Sequence, residues 1–477
     1  MDDGNHQLQK QAQPEAGSLA ELLVVAFPLI ISAGSFSLMN VVDRIFLARL
    51  GVDELAASMP SAMLVWTLMS LPLGVAGYTN AFVSQYEGAG QKDRFAASLW
   101  QGLWVALVGG FGLLPLIHFA PQIISVMHHA PSVQVLEVQY FQWLCPVAIP
   151  TLLNSVFSAY FAARKQTSIV MWVNVGICLL NAWLCYAMIF GWGPIPAIGM
   201  IGAALSTVIA QLVGAMILGV ILVRDGSRDG YPIWETFGVD WTLLRRMIRY
   251  GVPSGVQMLM DIGSFTIFIA LIGTLGTHDQ AATNLAFTLN SLAFVPMFGM
   301  STAIVTLVGH RVGEGRPELA VRTVWKAFFI SGAYMLAFAA VYLSLPDLIL
   351  SPFRHESEAA QFDLIRPTAI LLLKYVALYT FFDAMAIVFG SAIRGAGDTW
   401  FSLVFSMCCG WLLMVVPSVW AVRNGWGLHG CWMAVSATVI VMGIGFLIRF
   451  QRGRWKTMKV IEASDDGSPP PVSVAAH

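Results

Sequence analysis

An all-α integral membrane protein, with twelve transmembrane helices in two six-helix bundles related by an internal pseudo-two-fold repeat, is the fold this sequence predicts. Three observations predict it. Of 477 residues, 57% are hydrophobic and only 11% charged, with mean hydropathy +0.71, whereas a soluble domain carries about 25% charged residues. Apolar runs long enough to cross hydrocarbon, about 18 residues or more, recur twelve times. The second half of the chain also repeats the first.

The first six runs lie near 20–50, 57–85, 96–118, 134–163, 168–190 and 197–223. The second six lie near 252–275, 281–308, 320–344, 363–393, 400–421 and 427–450. Pro28 and Pro253 open corresponding helices at an offset of 225 residues. The same offset carries Gly51 to Gly276, Ala56-Ala57 to Ala281-Ala282, Gly74 to Gly299, and Gly88-Ala-Gly90 to Gly313-Glu-Gly315. Later the repeat returns with a small insertion, "SAYFAARKQTS" (158–168) matching "GSAIRGAGDTW" (390–400). Six helices per half is an even number, so both halves start on the same side and are related by an axis along the membrane normal. The expected divisions are an N-terminal segment 1–19, a first lobe 20–223, a linker 224–245, a second lobe 246–450 and a disordered tail 451–477. Asp225 to Asp240, with Gly226, Gly230 and Pro232, forms the connection.

Charge orients the chain. Net charge is −1, so no bulk basic field exists for nucleic acid. With the N-terminus in the cytoplasm, twenty of the 26 Lys and Arg fall in cytoplasmic segments, from Lys10, Lys92 and Arg94 through Arg245, Arg246 and Arg249 to Arg394 and Lys459. The others are Arg44, Arg49, Arg354, Arg366, Lys374 and Arg423. The positive-inside rule then places both termini in the cytoplasm of a multi-pass inner-membrane protein. Met1 to Gly17 is polar and acidic, unlike a cleaved signal peptide. The tail after Lys459, with Glu462, Asp465, Asp466 and Pro469 to Pro471, has the composition of disorder. The six cysteines lie in or beside apolar runs without metal-ligand spacing, and read as packed thiols.

Chemistry concentrates where hydrocarbon rejects it. A charged side chain at mid-membrane costs about 2.5–3.5 kcal/mol, so it faces an internal cavity and marks an ion or proton route. Asp261, in "GVPSGVQMLMDIGSFTIF", and Asp383, in "LLLKYVALYTFFDAMAIVFG", are such residues on two helices of the second half. Each reads as a carboxylate exchanging H⁺ or Na⁺, or as a structural carboxylate paired with a polar neighbour. Tyr379 is one turn before Asp383 on the same face; its phenol either donates to the carboxylate or offers Na⁺ an oxygen. Lys374 snorkels toward the outer interface. Asp43, beside Arg44 toward the outer end of the first helix, either lines the first lobe's cavity or pairs with Arg44. Asn174, Asn181 and Asn284 are secondary cavity candidates. For these, as for Asn154 and Asn290, interhelical hydrogen bonding is the simpler reading. Glu87 reads as a helix end, and His128 and His129 flank an outer turn. The 22 Met and the abundant aromatics pack or face lipid, and also suit adaptable apolar ligands.

No Walker A loop, GxSxG, HExxH or dinucleotide fingerprint is present. An ion gradient, rather than ATP, is the expected energy source, no cofactor is expected, and the chain does not read as an enzyme. A polyprenyl-transferase-like enzyme needs paired acidic metal motifs that are missing here. A receptor would bind its ligand without ion-driven flux.

With "NVVDRIFLARLGVDELAA", "LPLGVAGYTNAFVSQYEGAG", "LGTHDQAATNLAFTLNSLAFVPMFGMSTAIVTLVGHRVGEG" and "SAIRGAGDT" in this order, the chain resembles the MATE (multidrug and toxic compound extrusion) family over nearly all of 20–450. The resemblance implies two bundles arranged as a V that expel organic cations and drugs in exchange for Na⁺ or H⁺. It places Asp261 at the seventh-helix acidic position of NorM-like members, Asp383 and Tyr379 at their tenth-helix acidic and tyrosine positions, and Asp43 at the first-helix aspartate. Two departures stand out. DinF-like members carry an aspartate in the fifth helix where this chain has Cys185, which favours the NorM-like branch. The residue after the first aspartate is usually small and polar, whereas here it is Arg44, a cation that favours an ionised Asp43.

The expected function is therefore multidrug efflux by alternating access, with the coupling ion, Na⁺ or H⁺, bound at Asp261 and Asp383, in a monomer embedded in the bilayer. The alternative is a dedicated exporter or flippase of a lipid-linked or natural-product substrate on the same type of fold.

Overall fold

The computed structural model describes residues 15–127, 129–353 and 359–462. Lys10, His128, Arg354 and the tail residues Asp465, Asp466 and Pro469 to Pro471 lie outside the described residues. Among the described residues twelve helices are long and apolar enough to cross a bilayer, and strand pairing is confined to one isolated bridge between Trp192 and Ile195. In chain order the helices are α1 (Leu19–Leu50), α2 (Asp53–Gly88), α3 (Lys92–Ile117), α4 (Pro131–Ala163), α5 (Thr167–Phe190) and α6 (Met200–Arg228). The second half supplies α7 (Trp241–Gly273), α8 (Thr277–Gly313), α9 (Pro317–Ser344), α10 (Phe362–Ala396), α11 (Thr399–Arg423) and α12 (Gly427–Gln451).

Lipid offers backbone amides no partner, so a chain this apolar must close its hydrogen bonds within helices. Ends form where the sequence supplies caps: Ser18 accepts from Glu21 N, and Asp240 accepts from Thr242 N and Leu243 N. Asp240 also explains why α7 starts at Trp241 rather than near 252. Its first turns carry Arg245, Arg246 and Arg249 around one buried stripe, Leu243 and Met247. A hydropathy average does not register such an amphipathic turn. The same cause extends α6 to Arg228 and α8 to Gly313.

The repeat is visible in the packing. α5 packs on α1 and α6 as α11 packs on α7 and α12, and α4 sits against α2, α3 and α6 as α10 sits against α8, α9 and α12. Gly90 and Gly315, equivalent turn residues, share φ values of +71° and +72°. Lys165, at φ +58°, stands where the other half has Gly397 at +119°. A lysine pays a steric cost in that region, and its side chain gains an ion pair with Glu21 (2.7 Å).

The bundles meet where α1 crosses α8 and where α2 crosses α7 and α8. These crossings are backbone against backbone. A Cβ on Gly88 would lie 2.0 Å from the His310 carbonyl oxygen, and one on Gly313 2.0 Å from that of Gln85. Likewise Gly74 would meet Gly255 Cα at 2.4 Å and Gly299 would meet Ile30 N at 2.4 Å. Each pair is the repeat image of the other.

Polar ties between the bundles, among the described residues, all lie toward the face where the described chain begins and ends, called here the terminal face. Asn80 Nδ2 donates to Thr306 Oγ1 (3.0 Å), Gln85 Nε2 to the Gly395 carbonyl (3.0 Å) and the Tyr78 hydroxyl to the Arg394 carbonyl (2.9 Å). Buried Arg311 of α8 pairs with buried Glu21 of α1 and donates to both Glu314 oxygens (2.8 Å each). Burial alone would raise the Glu314 carboxyl, but hydrogen bonds from His310 and Arg311 outweigh it and hold the group at about 2.

A strap after α12 finishes this floor. The Trp455 ring stacks on Phe450 of the second bundle (5.0 Å). Val460 N donates to Gln85 Oε1 (2.9 Å), and Glu462 reaches Arg246 (3.0 Å) and Arg94 (3.5 Å). Val460 and Ile461 are buried in the apolar core of the first bundle.

Two outcomes follow from this interface. Gly88→Ala and Gly313→Ala each force the helices apart, at about 1–3 kcal/mol, read as a lowered Tm in detergent; Gly34→Ala, with open space around it, leaves Tm unchanged. Because the folded Glu314 pKa lies below its ordinary 4.5, its contribution is complete above that value. It is lost as pH falls from about 4.5 toward about 2, and Glu314→Gln flattens that part of a Tm-against-pH curve.

Candidate functional site

The acidic residues inside the helices fall into three separate settings. Asp261 lies on α7 about 30 Å of helix rise beyond Trp241. Its side chain is exposed to solvent while protein atoms surround it, as on the wall of a cavity. One turn nearer the terminal face, buried Gln257 donates to Ser406 Oγ of α11 (2.9 Å). Opposite, α11 widens into a π-helical stretch at Cys409–Val415. Gly410 makes that approach possible, since a Cβ there would lie 3.0 Å from Ser264 Oγ. Such widenings cluster at functional sites.

A cation also lies within electrostatic reach of Asp261. Arg394, on the last turn of α10, interacts electrostatically with the Asp261 carboxylate. Its Nη2 donates to Ser391 Oγ (3.1 Å), which shares a hydrogen bond with Ser301 Oγ (2.7 Å). Reading Arg394 only as a loop charge missed this inward role. The available signal was its place in "SAIRGAGDT", one turn inside the helix.

Asp383 sits half-buried on α10, about 20 Å of helix rise from Ala396. Tyr379 is buried one turn earlier and interacts electrostatically with it. Around Tyr379 lie Tyr342, Leu289 and Trp432 of the second bundle's core. Lys374 is exposed, as snorkelling requires. Among the described residues no hydrogen bond or ion pair joins Asp383 to Asp261. The two carboxyl groups therefore occupy separate places in one bundle rather than forming a single paired site.

Asp43 is in the first bundle, 7% exposed, while Arg44 beside it is exposed. No Asp43–Arg44 ion pair forms among the described residues, because consecutive helical residues point about 100° apart and only Asp43 turns inward. Its Oδ2 instead accepts from Thr207 Oγ1 (3.3 Å), and Asn181 Nδ2 donates to the same Thr207 oxygen (3.2 Å). Cys185 is fully buried in the same bundle, close enough to feel the Asp43 charge. Asp43 Oδ1 is buried without a donor. Thr207, a residue of no sequence prominence, thus holds Asp43 together with Cys185 and Asn181.

Among the asparagines, Asn154 Nδ2 donates to Gln211 Oε1 (2.7 Å) and Asn174 Nδ2 to Ser32 Oγ, both interhelical bonds. Asn284 is exposed and bridges no helices among the described residues. Glu87 accepts from the Tyr231 hydroxyl (2.7 Å), His129 pairs with Glu137 (2.7 Å), and all six cysteines are free. No group of three or more His, Cys, Asp or Glu suited to a metal ion occurs among the described residues.

The Asp43 setting predicts a separation of effects. Thr207→Val removes a hydrogen bond to a buried carboxylate and costs about 1–3 kcal/mol, read as a lower Tm in detergent. Arg44→Ala leaves Tm unchanged, whereas an Asp43–Arg44 pair would make it costly.

The comparisons with known proteins agree with this architecture. The family model MatE matches twice, over residues 28–187 and 253–420, one match in each bundle. "Probable multidrug resistance protein NorM" of Bradyrhizobium diazoefficiens is 26% identical over 93% of this chain and 97% of its own. The protein of the same name from Pseudomonas aeruginosa is 26% identical over 94% and 92%. Among solved structures, an outward-facing multidrug resistance MATE family transporter aligns with TM-score 0.83 at 20% identity, over 92% of this chain and 98% of its own. A MOP superfamily transporter from Pyrococcus furiosus aligns with TM-score 0.82 at 20% identity, over the same shares. The chain belongs to the MatE family.

Proposed function

We propose that this protein is a multidrug efflux antiporter that exports organic cations and drugs in exchange for Na⁺ or H⁺. The observation that carries the reading is Asp261: an accessible carboxylate deep in an apolar helix, beyond a floor that ties the two bundles together at one face only. A cation entering from the open side neutralises Asp261 and Asp383. Because ion and drug both act on the same inward/outward equilibrium, each displaces the other without needing one shared pocket. Tyr379 orients Asp383, and Asp43 with Thr207 and Asn181 is a second polar centre in the first bundle. Asn174 and Asn284 are secondary contacts.

The terminal face belongs in the cytoplasm of an inner-membrane protein, since the Lys- and Arg-rich segments gather there. The protein works as a monomer, without a cofactor and without catalysis. Its divisions are a first lobe that runs through Arg228, a linker 229–240, a second lobe from Trp241 to Gln451 and the strap that follows it.

The test is efflux of a fluorescent organic cation from proteoliposomes under separately imposed Na⁺ and pH gradients. Asp261→Asn and Asp383→Asn are each expected to cut gradient-driven flux by about 5- to 150-fold, the span of coupling free energies of about 1–3 kcal/mol. Full flux in both variants would move coupling to Asp43 and sink the second-bundle assignment.

A further inference from the structure

We infer that the segment between the two bundles, together with the start of α3, forms a binding site for one anionic phospholipid in the leaflet at the terminal face. The site is a cleft of about 580 Å³ lined by Lys92, Arg164, Arg228, Asp229, Gly230 and Tyr231. It lies far from Asp261 and Asp383 along the helices and takes no part in the transport reading.

The cations are held ready. Arg164 pairs with Asp229, donates to the Tyr160 hydroxyl (2.7 Å), and lies over the rings of Tyr160 (5.2 Å) and Tyr231 (4.8 Å). Lys92 Nζ donates to the Asp229 carbonyl (2.8 Å) and rests over the Tyr231 ring at 4.9 Å. The Tyr231 hydroxyl is in turn fixed by Glu87. Arg228 is exposed and has no partner among the described residues. A guanidinium has five donors and an ammonium three, so much of the donor capacity here stays unused. Of the lining residues only Asp229 is acidic, and it pairs with Arg164; Glu87 is taken up by the Tyr231 hydroxyl, so Arg228 and Lys92 face the cleft without a carboxylate partner.

What selects a lipid over a soluble anion is the apolar surface joined to these cations. On α3, Trp100, Trp104, Val108 and Phe111 follow the i, i+4, i+8, i+11 spacing of one helix face. Farther from the terminal face that side is bare, with Val108 73% and Phe111 55% exposed, as a lipid-facing surface should be. Nearer the terminal face the connecting segment lies on it. Trp100 Nε1 donates to the Ile233 carbonyl (2.6 Å), the Phe237 ring meets Trp100 (4.7 Å) and Trp104 (5.9 Å), and Trp234 meets Trp100 (6.2 Å). Trp234 and Trp241 remain 60% and 76% exposed. Trp100 is eight residues from Lys92, about 12 Å along the helix. Cations at headgroup level, with aromatic rings a dozen ångströms deeper, match one phosphate and the upper part of its acyl chain.

The full chain in neutral detergent is titrated with phosphatidylglycerol, phosphatidylcholine or soluble glycerol phosphate, and read by native mass spectrometry and thermal unfolding. Phosphatidylglycerol is expected to stay bound at one copy and to raise Tm, and the other two to do neither. Arg228→Ala, which breaks no hydrogen bond or ion pair among the described residues, is expected to weaken phosphatidylglycerol about fivefold, and Lys92→Ala with Arg228→Ala about thirtyfold. Equal binding of phosphatidylglycerol to the wild type and to Arg228→Ala would overturn the site. Stabilisation by glycerol phosphate equal to that by the lipid would overturn it in favour of a soluble anion.

Discussion

Two backbones in contact decide how this molecule is built. At Gly88 and Gly313 the crossing helices leave no space for even a methyl group, so the bundles come close enough for short polar side chains to bridge them. Asn80 reaches Thr306, Gln85 reaches Gly395, and Glu21 reaches Arg311 only because the helix axes are this near. The Glu21–Arg311 pair is worth little as net stability once its desolvation is counted, but removing either partner strands a buried charge at about 3–5 kcal/mol. Its effect is therefore on geometry: it makes one arrangement of the bundles much better than nearby ones. Packed, hydrogen-bonded interfaces of this kind tend to be bistable rather than elastic, as a rocking transporter needs.

The second bundle holds its carboxylates in contrasting ways. Asp261 meets solvent beside a widened α11 and an opposing arginine, whereas Asp383 stands half-buried beside a tyrosine in the core. Asp261 thus has a positive charge, Arg394, within electrostatic reach, whereas burial alone sets the surroundings of Asp383. Under the antiport we propose, two sites of unequal hydration give the cation a graded path, in which neither step demands full dehydration at once.

Much of this was legible in the sequence. The twelve helices, the duplication and the three acidic residues all follow from the cost of burying charge or bare backbone in lipid, which leaves a one-dimensional trace. The glycines at an offset of 225 residues marked the duplication, though not that Gly74, Gly88, Gly299 and Gly313 sit where the bundles cross. What escaped depends on side-chain direction and on partners far along the chain. Asp43 turned to Thr207, 164 positions away, not to its neighbour Arg44. Arg394 counted as a loop charge because hydropathy ends a helix where the first arginine appears. The start of α7 at Trp241 was hidden for the same reason, and the π-helical stretch in α11 has no compositional signature.

The strap from Trp455 to Glu462 bears on biogenesis. A chain is made from its N-terminus onward, and membrane helices insert as they emerge. Gln85, Arg94 and Arg246 are therefore in the bilayer or at its edge well before Val460 and Glu462 exist. The last ties across the floor cannot form until both bundles have been inserted and the strap has left the ribosome. The strap therefore completes a floor that the α1–α8 and α2–α8 crossings have already begun, and a nascent chain stalled within α12 would lack these last ties.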